Sequence, residues 1–295
     1  MIDLVATPLP PVTADHDCRD TWEPVARARG SAPFEEMTFT IRRCRVCGLG
    51  FTDPVPSQST APALYGSRDS NDFQQGDSGL VSSIKALVAR RDARAFVGAE
   101  ASTIIDYGCG NGAFVAAMAS MRPGAVVIGA DLHDEPPAGL RPDQYVPYRR
   151  LQEWNGRADL VLVRHVLEHT YDPLVLLCRL GDLLRPGGTV VIEVPALDAA
   201  IRPLWGRDWA GFYVPYHTLH FTPASLSRLV AAAGLSVDRV SGAELPMMGR
   251  SLQSRLQSGY GLPLFAVGAL LHPLQLTMGR ITGRPACIRL WATRL

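Results

Sequence analysis

Residues 102–112 read STIIDYGCGNG, from Ser102 to Gly112. An apolar, β-branched run that ends on a carboxylate, Asp106, and then places glycine at 108, 110 and 112 is a strand turning tightly into the element after it. Glycine there also lets a ligand approach the backbone closely. Working outward, AVVIGADL (125–132), ADLVLVR (158–164) and GTVVIEVP (188–195) are further short apolar runs with helical stretches or loops between them. That alternation predicts an α/β chain, a parallel sheet covered by helices on both faces.

The intervening helices carry their own punctuation. Asp172-Pro173 is an N-cap acceptor followed by proline at the first helical position, and LVLLCRLGDLL supplies the apolar face before RPGG (185–188) leads into the next strand. Thr222-Pro223 repeats the logic before ASLSRLVAAAG, with Gly234 at the helix end. Upstream, residues 79–97 read as an amphipathic helix with Leu80, Ile84, Leu87, Val88, Arg91, Ala95 and Phe96 on one face. LSVDRV and the terminal CIRLWATRL are two more strands, separated by an insertion at 246–284. Its apolar core LPLFAVGALLHPLQLTMG is broken by Pro263, His272 and Pro273 and falls short of the roughly 20 clean apolar residues that a membrane span needs. A helical lid, or an interfacial helix touching a membrane peripherally, is the expectation.

At 295 residues the chain suits one large core with an accessory piece. Residues 1–75, rich in proline and turn formers, read as an irregular accessory segment, and 76–295 as the main domain. The formal net charge of +1 gives no argument for nucleic acid, nor for a membrane by bulk charge, and Lys85 is the only lysine. The N-terminal text MIDLVATPLPPVTADHD is not a secretory signal, which points to the cytoplasm, where six scattered cysteines are thiols or ligands.

The chemistry around the glycines separates cofactors. A pyrophosphate over this turn would be repelled by Asp106, which counts against a nicotinamide dinucleotide. Asp131 ends the next strand, about 20 residues on, where a ribose diol is usually held. S-adenosylmethionine suits both acids: it has an ammonium, a sulfonium and a ribose, and no phosphate.

RHVLEH (164–169) contains H-x-x-E-H, which on a long helix gives a metalloprotease two zinc ligands and a base. Here it follows a strand directly and Pro173 follows closely, so the protease is the remote alternative. His165 and His169 belong either to the rim of a crevice at the carboxyl end of the sheet or to a loop that merely satisfies them.

From Thr103 to about Leu235 the chain resembles the class I S-adenosylmethionine-dependent methyltransferases. IIDYGCGNG, GADL, HVLEHTYDPLVLLCRLGDLLRPGGTVVIEVP and YHTLHFTPASLSRLVAAAGL follow that family's order and spacing. The resemblance implies a Rossmann-like, mostly parallel seven-stranded sheet and a small-molecule acceptor such as a natural-product, sugar or lipid-like intermediate. It implies that Asp106, Gly108 and Gly110 line the methionine end of the cofactor and that Asp131 takes the ribose hydroxyls. Gln152 and Glu153 would approach the adenine, while Arg164 and His165 pass beneath the sulfonium. The rival is a non-catalytic, methyltransferase-like scaffold, against which the intact glycine turn and ribose acid argue.

For a hydroxyl or an acidic carbon as acceptor a general base is useful, and His217, His169 and His220 are the candidates, His217 first. FYVPYHTLHF (212–221) and the preceding RPLWGRDWAGF add an aromatic wall on the same rim. Finally, CRVCGLGFTDP (44–54) resembles half a zinc knuckle, as found at the start of some methyltransferases acting on natural-product intermediates. Cys44 and Cys47 would need His16 and Cys18, an H-x-C instead of a second C-x-x-C, to hold zinc; otherwise they are buried thiols of a degenerate site.

Overall fold

The computed structural model describes residues 4–5, 21–31, 34–57, 59, 87, 89–96, 101–243, 245–257 and 262–295. His16, Cys18, most of the helix expected at 79–97 and the boundary expected near residue 75 lie outside them. The strands of the two larger sheets are β1 (Trp22–Arg29), β2 (Thr38–Cys44), β3 (Gly50–Asp53), β4 (Thr103–Tyr107), β5 (Val126–Asp131), β6 (Tyr145–Pro147), β7 (Ala158–Arg164), β8 (Leu184–Pro195), β9 (Leu219–His220), β10 (Leu235–Ala243) and β11 (Cys287–Arg294). The longer helices are α1 (Ala113–Met121), α2 (Pro173–Leu183), α3 (Pro223–Ala232), α4 (Met248–Leu256) and α5 (Leu262–Thr282).

Seven strands form the central sheet in the order β10-β11-β8-β7-β4-β5-β6. Pairing from β8 through β7, β4 and β5 to β6 is parallel, and β11 runs antiparallel to both β8 and β10. The order reverses between β4 and β7, and ligands of such sheets bind outside the carboxyl ends of the strands at that point. Alternate residues of the same strand go to different cores. Ile105, Val161, Val163, Val190, Ile192 and Val194 join one apolar cluster, whereas Ile104, Leu160, Leu162 and Val191 join another. A sheet buried on both faces explains why its strands read as continuous apolar runs.

The predicted caps form. Asp172 accepts from the Val175 N–H at 3.0 Å to start α2, and Thr222 and Ser225 make the reciprocal box that starts α3. RPGG does not separate helix from strand: β8 begins at Leu184 and its pairing with β7 shifts register before Thr189, because Pro186 has no N–H to give and Gly187 has a φ of +74°.

Three expectations are corrected. Among its described residues the N-terminal segment is not irregular, since β1, β2 and β3 form an antiparallel sheet completed by β9, in the order β9-β3-β2-β1. The described end of the 79–97 helix buries Ala93 and Phe96 and exposes Leu87, Arg91 and Ala95, so its inward face is rotated from the one expected. In the insertion, α5 continues through Pro273 for 21 residues, because its apolar pattern outlasts one helix-bending proline.

Candidate functional site

At the end of β4 the chain turns through Gly108, Gly110 and Gly112, with φ of +78°, +54° and +76°. The N–H groups of Gly108 and Cys109 donate to the Ala130 carbonyl at 2.8 and 3.1 Å, which ties the turn to β5. A Cβ on Gly108 would meet Val166 at 2.3 Å and one on Gly112 would meet Leu140 at 2.4 Å, whereas on Gly110 it would meet nothing within 4 Å. The loop is therefore packed at two glycines and open at the middle one.

Two carboxylates flank it. Asp131 accepts from the Gly110 N–H at 2.8 Å and the Leu132 N–H at 2.7 Å. Burial raises its pKa and those two donors oppose the rise. Each oxygen keeps a lone pair for a further donor. Asp106 is 1% exposed and pairs with Arg164 at 3.4 Å; burial pushes its pKa up and the guanidinium opposes this. Arg164 in turn lies over the Phe114 ring at 3.5 Å. Asp106, Gly108, Gly110, Asp131, Arg164 and His165 thus share the carboxyl rim of β4, β5 and β7. Glu153 sits apart, in the 3-10 segment Tyr148–Trp154, exposed and paired with Arg150 at 2.8 Å. Sequence reasoning missed Tyr148 of that segment, which stacks on Tyr107 at 4.3 Å and so reaches across to the end of β4.

The H-x-x-E-H residues do not lie on a helix of useful length. His165 has a φ of +57°, and only a 3-10 turn, Leu167–His169, follows. What the turn does instead is bury Glu168, 1% exposed, among histidines. Its Oε1 lies 3.3 Å from His165 Nδ1 and 3.8 Å from His217 Nε2. Burial alone would raise the Glu168 pKa, but the hydrogen bond from His165 and the neighbouring imidazoles hold it down at about 2.

His169 and His217 pack edge to face at 4.7 Å. Nδ1 of His169 meets the Tyr216 carbonyl and Nδ1 of His217 the Gly211 carbonyl, both at 3.0 Å. A carbonyl only accepts, so each Nδ1 carries a proton, and in the neutral form of either ring Nε2 holds the lone pair. Burial pushes the His217 pKa well below the ordinary imidazole value, which keeps that lone pair free at neutral pH. Glu168, His169 and His217 bring ligand atoms within 4.8 Å of one another, a donor set that fits a divalent metal ion. The aromatic wall also forms, Tyr213 stacking on Tyr216 at 4.9 Å and meeting His217 at 5.2 Å.

His220 does not join this pair. Thr52 Oγ1 lies 2.6 Å from the His217 carbonyl and 2.8 Å from His220 Nε2. Its one proton goes to the carbonyl, so His220 must donate and has no lone pair at that nitrogen. Buried in β9, it holds the accessory sheet to the site loop. Neither Thr52 nor the central place of Glu168 follows from spacing alone.

Cys44 and Cys47 are buried at the turn from β2 towards β3, where the Cys47 N–H points to Cys44 Sγ at 3.5 Å and Thr21 Oγ1 lies 3.1 Å from it. With His16 and Cys18 outside the described residues, the pair offers two ligands of the four that a structural zinc needs.

Residues 80–240, more than half of the chain, match the family described as a methyltransferase domain. The ubiquinone biosynthesis O-methyltransferase of Aeromonas salmonicida is 32% identical over 156 residues, 47% of this chain and 65% of that protein. Its counterpart from Cereibacter sphaeroides is 34% identical over 166 residues, 50% of this chain and 66% of its own length. The match thus spans just under two thirds of either relative. Among solved structures, the Burkholderia thailandensis 1,6-didemethyltoxoflavin-N1-methyltransferase, with bound 1,6-didemethyltoxoflavin and S-adenosylhomocysteine, covers 91% of this chain and 99% of its own at 17% identity, with a TM-score of 0.50. That likeness is one of fold. With the sheet order and the family match together, the chain belongs to the methyltransferase domain family.

Proposed function

We propose that the chain transfers a methyl group from S-adenosylmethionine to a hydroxyl of a small, partly apolar acceptor. The observation that carries this reading is the open Gly110 between two carboxylates at the switch point of the sheet. The turn has no basic side chain of its own, and its acids suit a ligand that is cationic at one end and a diol at the other. S-adenosylmethionine, when bound, supplies an electrophilic methyl group on a sulfonium. Asp131 would accept from the ribose hydroxyls with its remaining lone pairs, and Asp106 and Arg164 would fix the floor beneath the methionine end. Glu153, exposed after β6, would approach the adenine.

On the acceptor side His169, half-buried, takes the hydroxyl proton at Nε2 as the new O–C bond forms, and the ionised Glu168 nearby stabilises the resulting imidazolium. His217, more deeply buried, orients His169 and lines the pocket with Tyr213 and Tyr216. Hydroxyl transfer is preferred because the relatives at 32% and 34% identity are named O-methyltransferases. Cys109, Cys178 and Cys287 are free thiols, in keeping with a cytoplasmic reaction.

Calorimetric titration with S-adenosylmethionine and with NAD, beside an Asp131→Asn variant, tests the reading. Micromolar binding of the former alone, weakened about tenfold or more in the variant, is expected from the loss of charged hydrogen bonds. Failure of ligand-free protein to bind S-adenosylmethionine would leave a non-catalytic scaffold.

A further inference from the structure

Helices α4 and α5 pack on each other, and the inner side of α5 is firmly held. Gln275 Nε2 donates to the Leu245 carbonyl at 2.6 Å, Gln275 Oε1 accepts from the Met247 N–H at 2.9 Å, and Gly279 lies against Pro285. The outer side is the anomaly. Pro263, Val267, Leu270, Leu274 and Ile281 recur at helical spacing on one exposed stripe, with Leu270 79% and Ile281 81% exposed. A helix on a protein surface ordinarily puts polar groups there, and a contiguous apolar stripe marks a contact.

The charges around the stripe say with what. From Leu245 to the C-terminus the chain contains no aspartate or glutamate, while the hairpin and its exit carry Arg250, Arg255, Arg280 and Arg284. Arg255 is taken up by Asp208 at 3.4 Å, and the stretch as a whole still sets an excess of cations beside the apolar stripe, which complements an anionic bilayer surface. Two copies of the hairpin facing each other would instead bring this excess of positive charge together, and neither hairpin has an aspartate or glutamate of its own.

We propose that the α4–α5 hairpin docks this protein peripherally on an anionic lipid bilayer, with α5 lying in the plane of the interface. Pro263–Thr282 is long and apolar enough to cross a membrane by composition, with a mean hydropathy of 1.2. Crossing is incompatible with the fold, because Cys287 enters β11 between β8 and β10 only five residues after Thr282 and Gln275 is bonded to the 245–247 segment. The hairpin is also joined to the site. Ser251 accepts from the Ala210 N–H at 3.0 Å, and Arg255 donates to the Leu204 and Trp205 carbonyls, each at 3.0 Å. The segment held by α4 runs on to Tyr213, Tyr216 and His217, so docking of the hairpin brings the acceptor wall towards the bilayer and favours an acceptor dissolved in the lipid. The docking itself stands whether or not the methyl-transfer reading does.

Full-length protein sedimented with vesicles of phosphatidylcholine, and of phosphatidylcholine mixed with phosphatidylglycerol, tests this. Binding to the anionic vesicles is expected to exceed that to the neutral ones by about tenfold or more and to fall with salt. Leu270→Glu with Ile281→Glu, both exposed in the fold, should lose about tenfold or more of the binding. Arg250→Gln with Arg280→Gln, which leaves the apolar stripe intact, should lose about thirtyfold on the anionic vesicles only. Absent or charge-independent vesicle binding, or undiminished binding by folded variants of both kinds, overturns the proposal. So does a wild-type dimer without vesicle binding that the Leu270→Glu and Ile281→Glu changes dissociate.

Discussion

His217 turns its Nε2 towards the Glu168 carboxylate at 3.8 Å, and both side chains are buried. The Nδ1–H of His217 is committed to the Gly211 carbonyl, so the neutral ring presents a lone pair to an anion. Two buried acceptors facing each other at this distance are stabilised by a cation beside them. A proton is one such cation and a divalent metal is another, and Glu168, His169 and His217 bring ligand atoms within 4.8 Å of one another.

The metal gives the first prediction. Wild-type protein stripped with chelator should take up one equivalent of cobalt(II), read by its visible absorption, and Glu168→Gln and His169→Ala should each weaken that uptake by at least about tenfold. Uptake there would occupy Nε2 of His169 and replace it as the base, whereas equal uptake by wild type and both variants would place the ion elsewhere and leave Glu168 and the imidazoles to proton transfer alone.

Acid should unfold this protein early. Burial drives the His220 pKa from 6.5 to about 3 and lowers that of His217 strongly. As pH falls below about 6.5 the unfolded chain takes up these protons and the folded one does not, so stability declines by about 1.4 kcal/mol per pH unit for each histidine. Glu168 acts in the same direction lower down, its contribution being lost as pH falls from 4.5 towards 2. Chemical denaturation between pH 7 and pH 4 should show this slope, and His220→Asn should reduce it by about 1.4 kcal/mol per pH unit whatever it does to stability at pH 7. An unchanged slope would mean that His220 is protonated in the fold.

Gly108 and Gly124 make a controlled pair. At Gly108 the φ of +78° and the contact with Val166 both oppose a side chain, while a Cβ at Gly124 meets nothing within 4 Å. Gly108→Ala should cost about 2 kcal/mol or more and weaken S-adenosylmethionine binding, and Gly124→Ala should be nearly neutral in a thermal melt. Adding Val166→Ala should recover part of the loss, since it relieves the contact but not the φ.

How much of this was legible depended on whether a signal was local. The strand-turn of Ile104–Gly112 and the caps at Asp172 and Thr222 are fixed by neighbours within a few residues, and the structure has them where spacing put them. β2 was overlooked although Phe39 and Ile41 alternate with Thr38 and Thr40, because prolines on either side outweighed a short period-2 run. The tautomers of His217 and His220 were beyond reach, since they are set by Gly211 and Thr52, the latter 168 residues from His220. A residue type can be read from one sequence, but the direction in which it donates depends on what the fold places against it.

Thr52 provides the last prediction. Its hydroxyl binds the site loop at two points, the His217 carbonyl and His220 Nε2, and it comes from the accessory sheet. Thr52→Val keeps the shape of the side chain but leaves a buried carbonyl and a buried imidazole N–H without that partner. A loss of about 2 kcal/mol of stability is expected. Because the loop to His217 is set by this contact, affinity for acceptor should fall more than affinity for S-adenosylmethionine, which rests on Gly110 and Asp131. Thr52→Ser, which retains the hydroxyl, should restore most of the acceptor affinity. If Val and Ser variants weaken both ligands alike, the accessory sheet supports the whole domain and has no particular hold on the acceptor loop.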